Sequence, residues 1–435
     1  MSLRPQPTPT SRRALLLGLV GGVGLAAAGC STATGPVVST PTVPSLPSST
    51  APTTKEETSV PSSPASSPSG DQAALDDRLR DAAWANDVAL AKKLIKQGAD
   101  VNAKDSTQQS AYLIATSEGY LELLRLCLDN KASVNDKDSW NGTGLIRAAE
   151  RGHGLVVGEL LQAGIDANHV NRIGYQAIHE AVWLGRDSVT YHDTVRILAA
   201  GGVDLTRPSV NEKLTPLQMA RSKGHRELAT ILEAATSQPR KGSPEVELLA
   251  AAEAGDADRA MVALRAGADL EARNDRRRTP LLLAAAADQL DVARLLVGLG
   301  ADVNAVDDQS DTPVLVTGVT GSPRMLDVLL PGGPNFKLYN RFGGTALIPA
   351  CERGHVDFVR RAVTSGIDVN HVNRLGWTGT LEAVILGDGS RKYQEIIRIL
   401  LAHGADRSIP DANGVTALQH ARDKGQREIV RLLEQ

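Results

Sequence analysis

Thiols, imidazoles and paired carboxylates are the side chains through which a chain does chemistry, and in this one they are scattered. The three cysteines, Cys30, Cys127 and Cys351, show no Cys-x-x-Cys spacing and no histidine cluster beside them. Neither a zinc site nor a disulfide framework is signalled. The nine histidines fall in no His-Glu-x-x-His run, and no Gly-x-Ser-x-Gly or phosphate-loop run occurs. Asp and Glu are spread along the chain with no isolated pair to act as acid and base. The expectation is therefore a protein without catalysis, metal, cofactor or small-molecule substrate. Lys and Arg number 47 against 50 Asp and Glu, for a net charge of −3. A near-balanced, mildly acidic chain is a poor electrostatic match to nucleic acid.

The elements that carry these residues recur. After about residue 72 the sequence repeats with a period near 33. Gly98-Ala99-Asp100-Val101-Asn102 returns as Gly300-Ala301-Asp302-Val303-Asn304, and more loosely as Gly164-Ile165-Asp166-Ala167-Asn168. Thr279-Pro280-Leu281-Leu282, Thr215-Pro216-Leu217-Gln218 and Thr345-Ala346-Leu347-Ile348 open helices. A threonine hydroxyl caps free backbone N–H groups there, and proline at the first helical position gives up an N–H that would be unpaired anyway. Alanines such as Ala148-Ala149 let two helices approach. Gly152 and Gly354 end a first helix in the left-handed conformation. A second helix follows with aliphatics at helical spacing, as in Val292, Leu295 and Leu296.

These residues resemble the ankyrin repeat, a hairpin finger followed by two helices at a period of 33. The resemblance covers residues 75–435 and implies an all-α solenoid. Eleven units begin near residues 75, 106, 139, 172, 210, 245, 276, 309, 341, 374 and 412. It also implies that His153, His225 and His355, which follow helix-ending glycines, bond to backbone. Unit two departs from the pattern with Ser110-Ala111-Tyr112-Leu113. Unit eight departs further, with Gly318, Gly321, Pro323 and Pro331-Gly332-Gly333-Pro334, and distortion is expected there.

A second layer lies above the repeats, at an offset of 202. Asn168-His169-Val170-Asn171-Arg172 recurs as Asn370-His371-Val372-Asn373-Arg374, and Glu150-Arg151-Gly152-His153 as Glu352-Arg353-Gly354-His355. Two tandem arrays are expected, 72–236 and 245–435, joined at 237–244, where Pro239 and Gly242 suggest a hinge. Cys127 and Cys351 are seven units apart and read as buried core thiols.

The N-terminus reads as an address. Ser11-Arg12-Arg13-Ala14-Leu15-Leu16 resembles a twin-arginine export signal, and Ala27-Ala28-Gly29-Cys30 resembles a bacterial lipobox. That resemblance implies cleavage of residues 1–30 as a signal and acylation of Cys30. Ser, Thr and Pro supply 27 of the 40 residues 31–70, too little apolar surface to order itself. Residues 31–71 are read as a tether.

Binding residues are expected on the fingers. Trp140, Arg172, Tyr175, Arg341, Phe342, Arg374 and Trp377 stand beside the turns, and large aromatics with arginine are the residues that dominate interfaces. Arg276-Arg277-Arg278 makes a basic tip, read as a solvated charge run, with contact to an acidic partner as the alternative. Units four and ten carry five extra residues each, ending at Tyr191 and Tyr393, where a loop is expected that is either a partner contact or neutral, since surface insertions cost little. The implied function is a protein-binding scaffold, lipid-anchored outside the bacterial cytoplasm, with an unnamed protein partner. Inhibition or stabilisation of a secreted enzyme, and a structural spacer of the envelope, are the alternatives.

Overall fold

The computed structural model describes residues 70–237 and 242–435, and these described residues belong to one compact body. Arg12, Arg13, Cys30 and residues 31–69 lie outside the described residues, as do residues 238–241 of the joint. Gly70 and Asp71, counted with the tether in the sequence, open the first helix, Gly70–Trp84.

Twenty-two α-helices and one short 3-10 turn among the described residues form the eleven expected pairs. Backbone pairing of the β type is limited there to two isolated bridges, Lys137 with Thr143 and Pro410 with Thr416. The array is an all-helical ankyrin-type solenoid. First helices stack in order, as Gly144–Glu150 on Ala177–Trp183 and Leu347–Arg353 on Gly379–Ile385, and second helices do likewise. Each apolar stripe is thereby buried against the neighbouring unit.

The expected caps form at several of the first helices. The hydroxyls of Thr279, Thr312 and Thr416 accept from the backbone N–H three residues on. Thr143 and Thr345, which are 202 residues apart, break the pattern: their buried hydroxyls have no hydrogen-bond partner. Thr345 is not even the cap, because the helix Leu347–Arg353 starts one residue later.

Unit eight is helical at Gly318 and Pro323, where distortion was expected, and departs from the regular helix only at the 3-10 turn Leu330–Gly332, in the run that ends at Pro334. Pro323 sits at the first position of Pro323–Leu329, and Gly321 ends Pro313–Thr320 at φ 75°. Gly318 is needed for contact: a Cβ there would stand 1.8 Å from the Ala346 carbonyl oxygen. Residues that disfavour a helix in isolation are here placed at its ends and at its closest approach.

The two blocks fold against each other. The second helices Gly154–Gln162 and Val189–Ala200 of the first block pack on Leu290–Gly298 of the second, and Val189–Ala200 also packs on Ala257–Arg265. The backbones nearly touch, since a Cβ on Gly158 would lie 1.5 Å from the Gly298 carbonyl oxygen. Charged side chains stitch the same face. Arg196 Nε donates to Asp258 at 2.7 Å, Arg294 Nε to Asp193 at 2.6 Å, and Arg125 Nη1 to the Pro331 carbonyl at 2.8 Å. Where a hinge was expected, the joint links two surfaces in direct contact. The repeat pattern could not announce this, because the pairing residues lie 62 to 206 positions apart.

Candidate functional site

The fingers of units three and nine are each built on one Asp or Asn. Asp138 Oδ1 accepts from the Trp140 and Gly142 amides, both at 2.8 Å, and Asn340 Oδ1 from those of Phe342 and Gly344, both at 3.0 Å. This fixes a tight turn from which the third residue projects. Trp140 and Phe342 are each 55% exposed. The next finger hangs on the same residue: the Arg172 amide donates to the Trp140 carbonyl at 2.9 Å and the Arg374 amide to that of Phe342 at 3.0 Å. Arg172, Arg341 and Arg374 are exposed. The Arg341 guanidinium lies over the Phe342 ring, 4.6 Å from its centroid. Of the basic tip, Arg276 and Arg277 are exposed, while Arg278 pairs with Asp307 at 3.0 Å.

The tyrosines correct the sequence reading. Tyr175 is 3% exposed and packs its ring against His179 and Trp183, with centroids 6.0 Å away in each case. Tyr393 is buried and Tyr191 half-buried. Their hydroxyls donate to the carbonyls of Glu352 at 2.9 Å and Glu150 at 3.0 Å. The insertions that carry them divide between the loop before each second helix, at 186–188 and 388–390, and the lengthened helices themselves, Val189–Ala200 and Arg391–Ala402, with both tyrosines on the helical part. Trp377 is half-buried and packs on the core.

Between the fingers and first helices of units seven to ten lies a groove of about 550 Å³. Phe342, Leu375, Trp377 and Leu386 line it, together with Glu352 and Glu382. The structure thus gathers Arg341, Phe342 and Trp377 of the expected residues into one place. In the first block Trp140 stands 202 residues before Phe342, and Arg172 the same distance before Arg374.

The carboxylates of the groove were not foreseen. Glu382 is 5% exposed and its Oε1 accepts from Asn373 Nδ2 at 2.9 Å. Glu180 repeats this with Asn171 at 2.6 Å. Burial raises the pKa of both carboxyls above the ordinary range. For Glu382 burial and then the neighbouring Glu352 push it up to about 7. At Glu180 the equivalent push from Glu150 is opposed by Arg147. Arg147 itself bonds Asp138 at 2.5 Å and Glu150 at 2.7 Å. Its counterpart in the second block is Pro349. The signal was present in the sequence as a mismatch between two aligned blocks, and it is read only once both carboxylates are known to face the same space.

The remaining reactive groups are structural. His153 and His355 reach the Ser117 and Val319 carbonyls, both at 3.2 Å, and His169 and His371 reach those of Asn141 at 2.7 Å and Gly343 at 2.6 Å. Cys127 and Cys351 are free and buried, and burial raises both thiols, Cys127 to about 12. Among the described residues no group of three His, Cys, Asp or Glu could hold a metal ion.

Known proteins match in keeping with this architecture. The family model described as "Ankyrin repeats (3 copies)" matches residues 79–171 and 314–406, and "Ankyrin repeat" matches 276–308, together half of the chain. A putative ankyrin repeat protein of Escherichia coli, YahD, is 44% identical over 110 residues, covering 25% of this chain and 55% of that protein. The chicken nuclear factor NF-kappa-B p105 subunit is 30% identical over 154 residues, covering 34% of this chain and 15% of that protein. The chain thus spans about half of the first relative and a small part of the second. An ankyrin repeat domain of Acinetobacter baumannii of known structure is 45% identical, covering 43% of this chain and 95% of that one, with a TM-score of 0.42.

Proposed function

Because this chain belongs to the ankyrin-repeat family, we propose that its helical body is a protein-binding scaffold whose contact surface is the finger and first-helix face, held to the outer side of a bacterial membrane by a lipid on Cys30. One observation carries the scaffold reading. Large apolar side chains stand exposed at the same places in both blocks: Trp140 and Phe342, Ile173 and Leu375, Leu184 and Leu386. Isolated exposed apolar residues are ordinary on any surface, but a set repeated on one face marks an interaction site. The second-helix face is partly consumed by the contact between the blocks, which leaves the finger face as the surface for a partner. The tether rests on Arg12-Arg13, the uncharged run Ala14 to Gly29, and the small residues before Cys30. A second signal beside a single acyl chain makes such anchoring durable.

Cross-linking the full chain in its native envelope, followed by mass spectrometry, tests the scaffold. The wild type should yield a defined protein adduct. A variant with Trp140, Arg172, Phe342 and Arg374 changed to Ala should lose it at an unchanged melting temperature. An adduct that survives these changes overturns the assigned surface. Cys30→Ala should move the protein from the membrane to the soluble fraction, and retention in the membrane rejects the anchor.

A further inference from the structure

The duplication supplies an internal reference for the groove of the second block. In the first block the Arg147 guanidinium is bonded to Asp138 and Glu150 and acts favourably on the buried Glu180. In the second block Asn340 replaces Asp138 and Pro349 replaces Arg147, while both glutamates remain as Glu352 and Glu382. Proline is tolerated because it is the third residue of Leu347–Arg353, where the backbone N–H has no intrahelical acceptor. The cation and one of its acids are gone together, and the space they leave is open. The nearby arginines do not fill it. Arg278 is engaged by Asp307, and Arg341 by Asp311 and Gln309. Arg353, exposed where it lines the groove, forms no salt bridge with Glu352 or Glu382 among the described residues. Asn373 serves only Oε1 of Glu382.

Resting on the scaffold reading above, we infer that this groove takes an arginine side chain of the partner protein, its guanidinium on Glu352 and Glu382 and its stem along Phe342, Leu375 and Trp377. The partner restores from outside the cation that Arg147 supplies from within the first block. A guanidinium suits the place better than an ammonium. It is weakly hydrated, bonds carboxylates through two N–H groups at once, and stacks on aromatic walls. Two carboxylates are too few oxygen ligands to form a calcium site. Buried against burial-raised acids, the incoming cation also lowers the cost of ionising Glu382.

Fluorescein-labelled pentapeptides with Arg, Lys, citrulline or Glu at the centre and glycine elsewhere test this on the full chain. The arginine peptide should bind about tenfold or more tightly than the citrulline peptide, which has the same shape without charge. Glu352→Gln and Glu382→Gln should each abolish that preference, with melting temperature as the check on folding. Pro349→Arg combined with Asn340→Asp rebuilds the internal cation and should exclude the peptide. The equivalent changes Glu150→Gln and Glu180→Gln should leave peptide binding unaltered. Equal binding of arginine and citrulline peptides, no binding at about 1 mM, or a preference that survives Pro349→Arg with Asn340→Asp, overturns the assignment. If the groove fails these tests while the envelope adduct still depends on the finger residues, the scaffold reading stands without it. If arginine peptides bind but no envelope adduct forms, the scaffold reading falls.

Discussion

Units three and nine are copies, 202 residues apart, that have been put to different uses on both faces. On the first-helix face, Arg147 ties Asp138 to Glu150, and its counterpart Pro349 leaves Glu352 beside an open groove. On the second-helix face, Gly158 lies against the backbone of Gly298, and its counterpart Arg360 is exposed and pairs with Asp357 and Glu395. The scaffold itself is kept, down to the hydrogen bond from Asn171 to Glu180 and from Asn373 to Glu382. Unit three is covered on its second-helix face and bridged on its finger face. Unit nine carries a solvated charge on the first of these faces and an open groove on the second. Stability in such an array comes from neighbour contacts, so face residues are free to diverge wherever no neighbour constrains them.

Exchanging residues between the copies should break the comparison most severely at Gly158. Gly158→Arg, the second-block residue, places a long charged side chain where a Cβ already overlaps the Gly298 carbonyl. We expect a loss of about 3 kcal/mol or more, a fall in melting temperature, and a larger radius of gyration by small-angle scattering as the blocks part. Helix content should persist, because each unit still has its neighbours. Arg360→Gly, the reverse exchange, should cost only the helix propensity of glycine, about 1 kcal/mol. An unchanged scattering curve for Gly158→Arg rejects the contact between the blocks.

The next exchange sharpens the comparison inside the first-helix row. Thr116 and Gly144 face each other in the first block, and the second block has Gly318 and Ala346 at these places. The small residue has changed sides. Gly318→Thr should cost about 3 kcal/mol through overpacking, and, since the overlapped atoms are backbone atoms of Ala346, adding Ala346→Gly should return part of it only by freeing that backbone to shift. A double-mutant cycle measures that coupling, and strict additivity of the two changes would show that the pair is not a compensating one.

The reach of sequence reasoning follows the same division. Eleven helix pairs were legible because period, cap and helix-ending glycine are written locally, at Thr279 and Gly354 as elsewhere. Trp140 and Phe342 were legible as exposed tips, since the turn on Asp138 or Asn340 fixes where the third residue points. Tyr175, Tyr191 and Tyr393 were misread as contacts, because the direction of their side chains is set by neighbouring helices. Gly318 and Pro323 were misread as breakers, because position in a helix outweighs propensity. The contact between blocks left no periodic mark, and the open carboxylates show only when facing residues of separate units are placed together.

Protonation separates the copies by a smaller amount. Glu382 has its pKa raised to about 7 by burial and by Glu352, above its ordinary value of 4.5. Stability held by its neutral form is complete below the unfolded pKa and is lost as pH rises through about 7. Glu382→Gln stays neutral throughout. The variant should therefore gain on the wild type between pH 5 and pH 8, by on the order of 1–3 kcal/mol. Glu180→Gln should gain less, since the Arg147 charge offsets part of the same shift. Urea midpoints at the two pH values check this, and equal gains for the two variants would remove the electrostatic distinction between the blocks.

The smallest difference lies in the tyrosine bolts. Both hydroxyls hold the carbonyl of the glutamate in the preceding unit, at 2.9 Å from Tyr393 and 3.0 Å from Tyr191. Removing one hydroxyl costs about 1 kcal/mol, and more where the acceptor is left without water. Tyr393 is 6% exposed and Tyr191 only partly buried, so Tyr393→Phe should lower the melting temperature more than Tyr191→Phe. Tyr393→Phe also loosens the carbonyl of Glu352, one of the two carboxylates offered to the arginine peptide, and should weaken that binding by a small factor. Tyr191→Phe loosens Glu150, whose carboxylate Arg147 already holds, and should leave peptide binding untouched. Equal melting shifts, or a peptide affinity that ignores Tyr393, would mean that the bolts brace the helices alone and not the groove.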